Sequence, residues 1–396
     1  MGQGYFVTGT DTRVGKTLVA CALLRAFART GKSVVGMKPV AAGREGGRFA
    51  DVEALAQAST VNARPQIVNP YAFEPAIAPH IAAELAGLEI GFDPIAHAYE
   101  ELSRLAEVVV VEGVGGFLVP LNATQTGADL ATRLGLPMVL VVHGGPWARD
   151  IFGYRGDHQW LADRGYAVLS VNYRGSTGFG KGFVAASEKE HARKMHNDLI
   201  DMVEWAVDEG IAQKDKIAIF GLSYGGLASF VGATFTPEVF CCSVPVVGIS
   251  NLQTLLESMP PYWAGFAEYM YRSYGDPRTE EGRKLLAERS PINKVENIKK
   301  PMLIFHGAND VRCKVAESDT IVAAMQAKNI PVTYVVYPDE GHGFQKPPNR
   351  LSFIAIAEAF FARHLGGAFE PVGRDLEGSS HEIRACDGIL RDLGVT

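Results

Sequence analysis

No window of about 18 consecutive apolar residues occurs in the chain, so nothing in it reads as a membrane-spanning helix. A basic surplus is missing too: 38 Lys and Arg stand against 44 Asp and Glu, a net charge of −6, which excludes a general attraction to nucleic acid or an anionic membrane. Cysteine is scarce. The five present, Cys21, Cys241, Cys242, Cys313 and Cys386, are odd in number and lack zinc-site or redox-motif spacing, the usage of a reducing cytoplasm. The chain opens on a strand-like run, Tyr5-Phe6-Val7-Thr8, without the basic segment and long apolar stretch of a secretory signal. Its 43 Gly and 21 Pro follow no collagen period and form no low-complexity tract or linker. What is present is a 396-residue chain, 47% apolar and 21% charged, with room for two or three domains and real cores. The expectation is a cytoplasmic protein acting on a small molecule or short peptide, its oligomeric state open.

Short apolar runs alternate with amphipathic stretches throughout, the α/β pattern of a parallel sheet covered by helices. Strands are predicted at Tyr5–Thr8, Ser33–Val40, Glu107–Glu112, Met138–Val142, Ala167–Tyr173, Lys216–Gly221, Met302–Gly307 and Val332–Tyr337. Helices are predicted at Lys16–Thr30, Ile95–Ala106, Arg193–Val207, Ala316–Lys328 and Phe353–His364.

The first strand runs into Gly9-Thr10-Asp11-Thr12-Arg13-Val14-Gly15-Lys16-Thr17 and then directly into a helix. In that context backbone N–H groups around Gly15 cradle phosphates, Lys16 reaches the terminal phosphates and the Thr17 hydroxyl faces Mg²⁺. Five residues separate the two glycines where the strict phosphate-loop pattern has four.

Further residues make this segment specific: Lys38-Pro39-Val40, Asn69-Pro70-Tyr71, Ala78-Pro79-His80, Val111-Glu112-Gly113-Val114-Gly115-Gly116 and Ala128-Asp129-Leu130. With the loop, they make roughly the first 142 residues resemble dethiobiotin synthetase. That family carboxylates a diamine and closes a ureido ring with ATP and Mg²⁺. The resemblance implies that Thr12, Gly15, Lys16 and Thr17 bind ATP, that Thr17, Asp51 and Glu112 hold Mg²⁺, and that Lys38 faces the substrate carbamate. Hard carboxylate oxygens suit Mg²⁺, and an ammonium stabilises charge on a carbamate being phosphorylated. Ala42 stands where the family commonly has serine, and after Val142 the family's substrate, dimer and adenine segments do not follow. Two readings therefore stand for this half: an ATP-dependent cyclo-ligase of biotin biosynthesis, or a nucleotide-binding remnant without turnover.

From His143 onward the signals change. Lys216–Phe220 leads into Gly221-Leu222-Ser223-Tyr224-Gly225-Gly226, a nucleophile elbow whose small residues permit the sharp strand-to-helix turn that lifts Ser223 above a sheet. Asp310, in His306-Gly307-Ala308-Asn309-Asp310, follows one strand, and His342, in Gly341-His342-Gly343, follows the next. Ser, Asp, His is the chain order of an α/β-hydrolase triad of nucleophile, orienting acid and base. His143-Gly144-Gly145-Pro146 reads as an oxyanion loop, with the N–H groups of Gly145 and Tyr224 as donors. No cofactor is expected for this chemistry.

These residues, with Asn172-Tyr173-Arg174-Gly175-Ser176-Thr177-Gly178 and Pro260-Pro261-Tyr262-Trp263, resemble the catalytic domain of the prolyl oligopeptidase family in its acylaminoacyl-peptidase-like branch. The likeness covers about 250 residues, without the family's amino-terminal propeller or the first strands of the hydrolase sheet. Tyr262 and Trp263 either line an apolar subsite or pack a lid helix. Arg149 and Arg174 either meet a peptide carboxylate or carbonyl, or form surface ion pairs. Cys313 is given no role.

The two resemblances meet inside one run, Leu136-Pro137-Met138-Val139-Leu140-Val141-Val142, which suits a strand of either sheet. One strand has two edges and cannot serve three neighbours. The expected architecture is a truncated P-loop NTPase-like parallel sheet, residues 1–137, joined to an α/β-hydrolase, residues 138–396, that takes the contested strand. With no linker between them, the pattern is that of a chimeric, recombined or misassembled chain rather than an ordinary bifunctional enzyme.

Overall fold

Runs of β-branched residues supply both sheets, and the chain divides at the junction into two compact units, Met1–Leu136 and Pro137–Thr396. The computed structural model describes residues 3–386 and 388, apart from residues 10, 13, 45, 117 and 135.

In the first unit, β1 (Gln3–Val7), β2 (Val34–Met37) and β5 (Val108–Glu112) form a parallel sheet in the order β1-β5-β2, while β3 (Val40–Ala42) and β4 (Tyr71–Phe73) make a separate parallel pair. β5 is an unbroken valine run because both of its faces are buried. Val109 and Val111 pack with Ile95, Ala98 and Leu102 of the helix Phe92–Leu105, whereas Val108 and Val110 pack with Ala20 and Leu24 of the helix Lys16–Arg29. The single strand predicted at Ser33–Val40 is two. Pro39 lacks the N–H a ladder needs, and Lys38 turns away to donate its backbone N–H to the Val68 carbonyl at 2.8 Å.

The second unit is one seven-stranded sheet: β6 (Leu136–Val142), β7 (Ala167–Ser170), β8 (Ala212–Leu222), β9 (Cys242–Val246), β10 (Leu303–Gly307), β11 (Thr333–Tyr337) and β12 (Glu382–Ala385), ordered β12-β11-β10-β9-β8-β6-β7. β12 runs antiparallel to β11, and the pairs β6-β7, β8-β9, β9-β10 and β10-β11 are parallel. β6 lies between β8 and β7, with Met138, Leu140 and Val142 in the core on one face and Val139 and Val141 in the core on the other. β9 carries no sequence signal because Pro245 argues against a central strand. It nevertheless pairs with β8, Pro245 opposite Gly221. β7 stops at Ser170, three residues earlier than predicted, because Asn172 leaves the sheet to hold the loop at Asp150 through a pair of side-chain to backbone bonds. Among the described residues no helix is long and apolar enough to cross a membrane.

Candidate active site

At the C-terminal end of β8 the chain turns at Ser223, with φ 62° and ψ −115°, straight into the helix Tyr224–Phe235. A non-glycine residue held there stores roughly 1–3 kcal/mol of strain, so its surroundings must leave no alternative. They do. A Cβ on Gly221 would lie 2.7 Å from the Gly225 backbone, one on Gly226 would lie 2.6 Å from the Gly248 Cα, and one on Gly225 would run into the Val142 carbonyl oxygen. The three glycines let the helix seat itself against β6 and β9, and Ser223 N–H donates to the Val246 carbonyl at 2.9 Å.

Asp310 sits just beyond β10, its side chain fully buried. Its Oδ1 accepts the backbone N–H groups of Arg312 at 2.8 Å and Cys313 at 3.0 Å, which leaves Oδ2 for Nδ1 of His342 at 2.6 Å. His342 Nε2 in turn lies 2.9 Å from Ser223 Oγ. The loops carrying acid and base touch because Gly307 has no side chain: a Cβ there would overlap the Gly341 carbonyl. Asn309 N–H closes the contact on the Glu340 carbonyl at 2.8 Å.

Two supporting residues carry no sequence signal of their own. The buried Glu340 carboxylate accepts from Gln345 N at 3.0 Å, Lys346 N at 2.8 Å and Asn349 Nδ2 at 2.9 Å, tying down the loop that bears His342. His306 is wholly buried, with Nδ1 2.7 Å from Ser318 Oγ and Nε2 2.8 Å from the Cys313 carbonyl. Burial holds its pKa below the usual imidazole range, so it is neutral, and the carbonyl contact fixes the proton on Nε2. Cys313 is buried against Ser223, and desolvation pushes its thiol up into the protonated form.

The loop after β6 closes over Ser223. His143 stacks on Tyr173 at 4.4 Å, its Nε2 is 2.9 Å from Ser176 Oγ, and Tyr173 donates its hydroxyl to the His143 carbonyl at 2.8 Å. Gly144 lies against Ser223, and Gly145 follows at φ 122°. Tyr224 opens its helix, so its N–H belongs to the set without an intrahelical acceptor. Tyr262 is 64% exposed, while Trp263 packs against the core. The aromatic cluster beside the loop is instead Trp147 with Phe266 at 5.5 Å and Tyr269 at 4.8 Å. Arg174 is committed to an ion pair, with Nε 2.8 Å from Asp198 Oδ2 and Nη2 2.6 Å from Oδ1.

In the first unit Thr17, Lys38, Asp51 and Glu112 meet at the end of β5. Glu112 Oε1 accepts from Thr17 Oγ1 at 2.8 Å and Lys38 Nζ at 2.7 Å, and Lys38 Nζ also lies 2.8 Å from Asp51 Oδ2. The remaining oxygen, Glu112 Oε2, is buried with no partner among the described residues, and hard oxygens beside an alcohol are the donor set Mg²⁺ takes. Gly15 caps the following helix at φ 98° in open space, so the backbone conformation alone requires glycine. Lys16 Nζ donates to the Asp11 carbonyl at 2.6 Å, and burial followed by the nearby Lys38 charge lowers its pKa. Thr12 is exposed, its N–H on the Asp11 carboxylate at 2.7 Å. Thr10 and Arg13 of the motif lie outside the described residues.

Comparison with known proteins finds two matches that follow one another along the chain. A family model described as "Prolyl oligopeptidase family" matches residues 152–368, and one described as "AAA domain" matches residues 3–148. Dipeptidyl aminopeptidase BIII of Pseudoxanthomonas mexicana is 60% identical over 255 residues, 64% of this chain and 37% of that protein. The ATP-dependent dethiobiotin synthetase BioD of Nitrosospira multiformis is 60% identical over 142 residues, 36% of this chain and 63% of that protein. Among solved structures, a Mycobacterium tuberculosis puromycin-hydrolyzing peptidase superposes with a TM-score of 0.55 at 30% identity, covering 60% of this chain and 35% of that one. The chain thus spans little more than a third of the length of the peptidase and under two thirds of the synthetase.

Proposed function

The chain belongs to the prolyl oligopeptidase family and carries a dethiobiotin synthetase-like segment before it, and on that premise we propose that it is a serine peptidase and esterase acting on short peptides or acyl esters. One observation carries the reading: the continuous hydrogen-bonded line from Ser223 Oγ through His342 to Asp310, at 2.9 and 2.6 Å, with the nucleophile on a strained elbow. Ser223 attacks the carbonyl carbon, His342 Nε2 takes the hydroxyl proton and returns it to the leaving group, and Asp310 keeps the other imidazole proton on Nδ1. The N–H groups of Gly145 and Tyr224 receive the oxyanion. Water then repeats the sequence on the acyl-enzyme. Trp147, Phe266 and Tyr269, with Tyr262 at the rim, supply apolar surface for the substrate. Treatment with a serine-directed phosphonate is expected to label wild-type protein at Ser223 and abolish hydrolysis of a p-nitrophenyl ester. Ser223→Ala that still turns over the ester would sink the assignment.

A second reading rests on the partnerless buried Glu112 oxygen: the first unit binds ATP with Mg²⁺. Thr17, Asp51 and Glu112 would hold the metal, Gly15 and Lys16 the phosphates with Thr12 alongside, and Lys38 a bound carbamate. The bound nucleotide would supply the phosphoryl group that activates that carbamate. Calorimetry with Mg²⁺–ATP is expected to give a binding heat that Lys16→Ala loses. The same heat in both proteins refutes the site. Formation of dethiobiotin from diaminopelargonate, bicarbonate and ATP distinguishes a working ligase from a binding remnant.

A further inference from the structure

Several arginines of the second unit are engaged with carboxylates, among them Arg155 with Asp157 at 2.8 Å, Arg174 with Asp198 at 2.6 Å, Arg272 with Glu188 at 3.1 Å and Arg278 with Glu268 at 2.8 Å. Arg149 is not, and it differs from Arg283, Arg289, Arg312 and Arg350, which among the described residues also lack such a pair, in standing on the loop that follows β6. It is exposed, and among the described residues no carboxylate lies within ion-pair distance of it. Its guanidinium carbon instead stands 5.3 Å from the centre of the Phe179 ring, itself half exposed. Gly178, at φ 89°, makes that arrangement possible, since a Cβ there would lie 2.9 Å from Arg149 Cδ and overlap the guanidinium.

The position is as well fixed as the oxyanion loop. Arg149 comes four residues after Gly145, on the segment whose Gly144 contacts Ser223. Its neighbours are pinned on both sides: Thr177 N–H donates to the Ala148 carbonyl at 2.8 Å, Asp150 N–H to Asn172 Oδ1 at 2.8 Å, and Asn172 Nδ2 to the Asp150 carbonyl at 3.0 Å. A guanidinium held over an aromatic ring still has N–H donors to offer a bidentate anion. A short peptide carries one obligatory anion, its C-terminal carboxylate, and that group lies on the leaving-group side of the scissile bond.

We propose that Arg149 is a specificity residue that binds the free C-terminal carboxylate of short peptide substrates, so that the site favours peptides ending within a few residues of the bond cleaved. The inference rests on the serine-peptidase reading and adds to it the class of substrate. An extended peptide advances about 3.3 Å per residue, so a carboxylate one to three residues past the bond lies roughly 3–10 Å from it, a length of the same order as the four-residue step from Gly145 to Arg149 can span. Longer chains, whose carboxylate lies elsewhere, gain nothing from the contact.

The test compares kcat/KM of the full chain for a tripeptide or tetrapeptide acid with that for the same peptide as its C-terminal amide, alongside a neutral p-nitrophenyl ester and phosphonate labelling of Ser223. Wild-type protein is expected to favour the acid about five- to tenfold, mainly through KM, the range of a preorganised but solvent-exposed charge pair. In Arg149→Gln the acid-to-amide ratio falls to about one. Arg149→Lys, which keeps the charge and loses the fork, retains part of it, and serves as the informative variant should the glutamine form fail to fold. A ratio that persists in Arg149→Gln, one that vanishes equally in the lysine form, or a wild type indifferent to amidation while it hydrolyses the ester, overturns the assignment and leaves the peptidase reading standing. Wild-type protein that neither hydrolyses the ester nor takes the phosphonate overturns both.

Discussion

Adding one methyl group at Gly221 tests the elbow directly. The new Cβ would stand 2.7 Å from the Cα, carbonyl carbon and oxygen of Gly225, where ordinary contact begins at 3.4 Å. The obstacle is backbone on both sides, so no side chain can rotate away, and the turn must open by roughly 0.7 Å. Such overpacking costs about 1–3 kcal/mol of stability. Ser223 lies between the two residues and moves with the turn, and a displacement approaching ~1 Å costs on the order of a hundredfold in rate. Gly221→Ala is therefore expected to lower kcat/KM for a p-nitrophenyl ester by ten- to a hundredfold and to shift the urea midpoint of inactivation downward. Gly182 is the control. It sits in the helix Lys181–Ala185, and a methyl group added there would meet nothing within 4 Å, so Gly182→Ala should stabilise by about 0.4–1 kcal/mol without loss of rate. Equal activity and equal midpoints in wild type and Gly221→Ala would refute the claim that backbone proximity at this glycine sets the nucleophile.

Asp310→Asn should preserve the packing but release the imidazole tautomer, lowering kcat by about 10⁴ with little change in KM; a loss below tenfold in steady-state assays speaks against the orienting role. Glu340→Ala leaves Gln345 N, Lys346 N and Asn349 Nδ2 without their acceptor, and is expected to destabilise by about 3 kcal/mol in urea titrations, with an unchanged midpoint as the contrary result. Burial holds His196 at a pKa of about 4, so as pH falls from 6.5 toward 4 the unfolded chain binds a proton that the folded one refuses. The stability present above pH 6.5 is then lost by up to about 3 kcal/mol. His196→Asn should flatten that part of the stability profile, and a profile identical to wild type removes His196 as its cause.

The sequence by itself determined which residues make up the candidate site and their order along the chain. A nucleophile elbow, an acid after one strand and a base after the next are local patterns, because each needs particular residues within a few positions of a strand end. Gly15-Lys16-Thr17 after a strand is local in the same sense, and the valine run of β5 announces a strand buried on both faces. Tertiary structure decided the rest, since it depends on residues far apart in sequence. It brought Glu340 and His306 to the support of His342 and Asp310, although an acid or histidine near a motif carries no mark of whom it will hold. It tied Arg174 to Asp198 and left Arg149 on Phe179, two arginines the sequence treats alike. It formed β9 across a proline and seated β6 between β8 and β7. The run Leu136–Val142 suits either sheet by composition, because hydrophobic pattern specifies that a strand is buried and not beside which neighbours; only the competition for its two edges makes that choice.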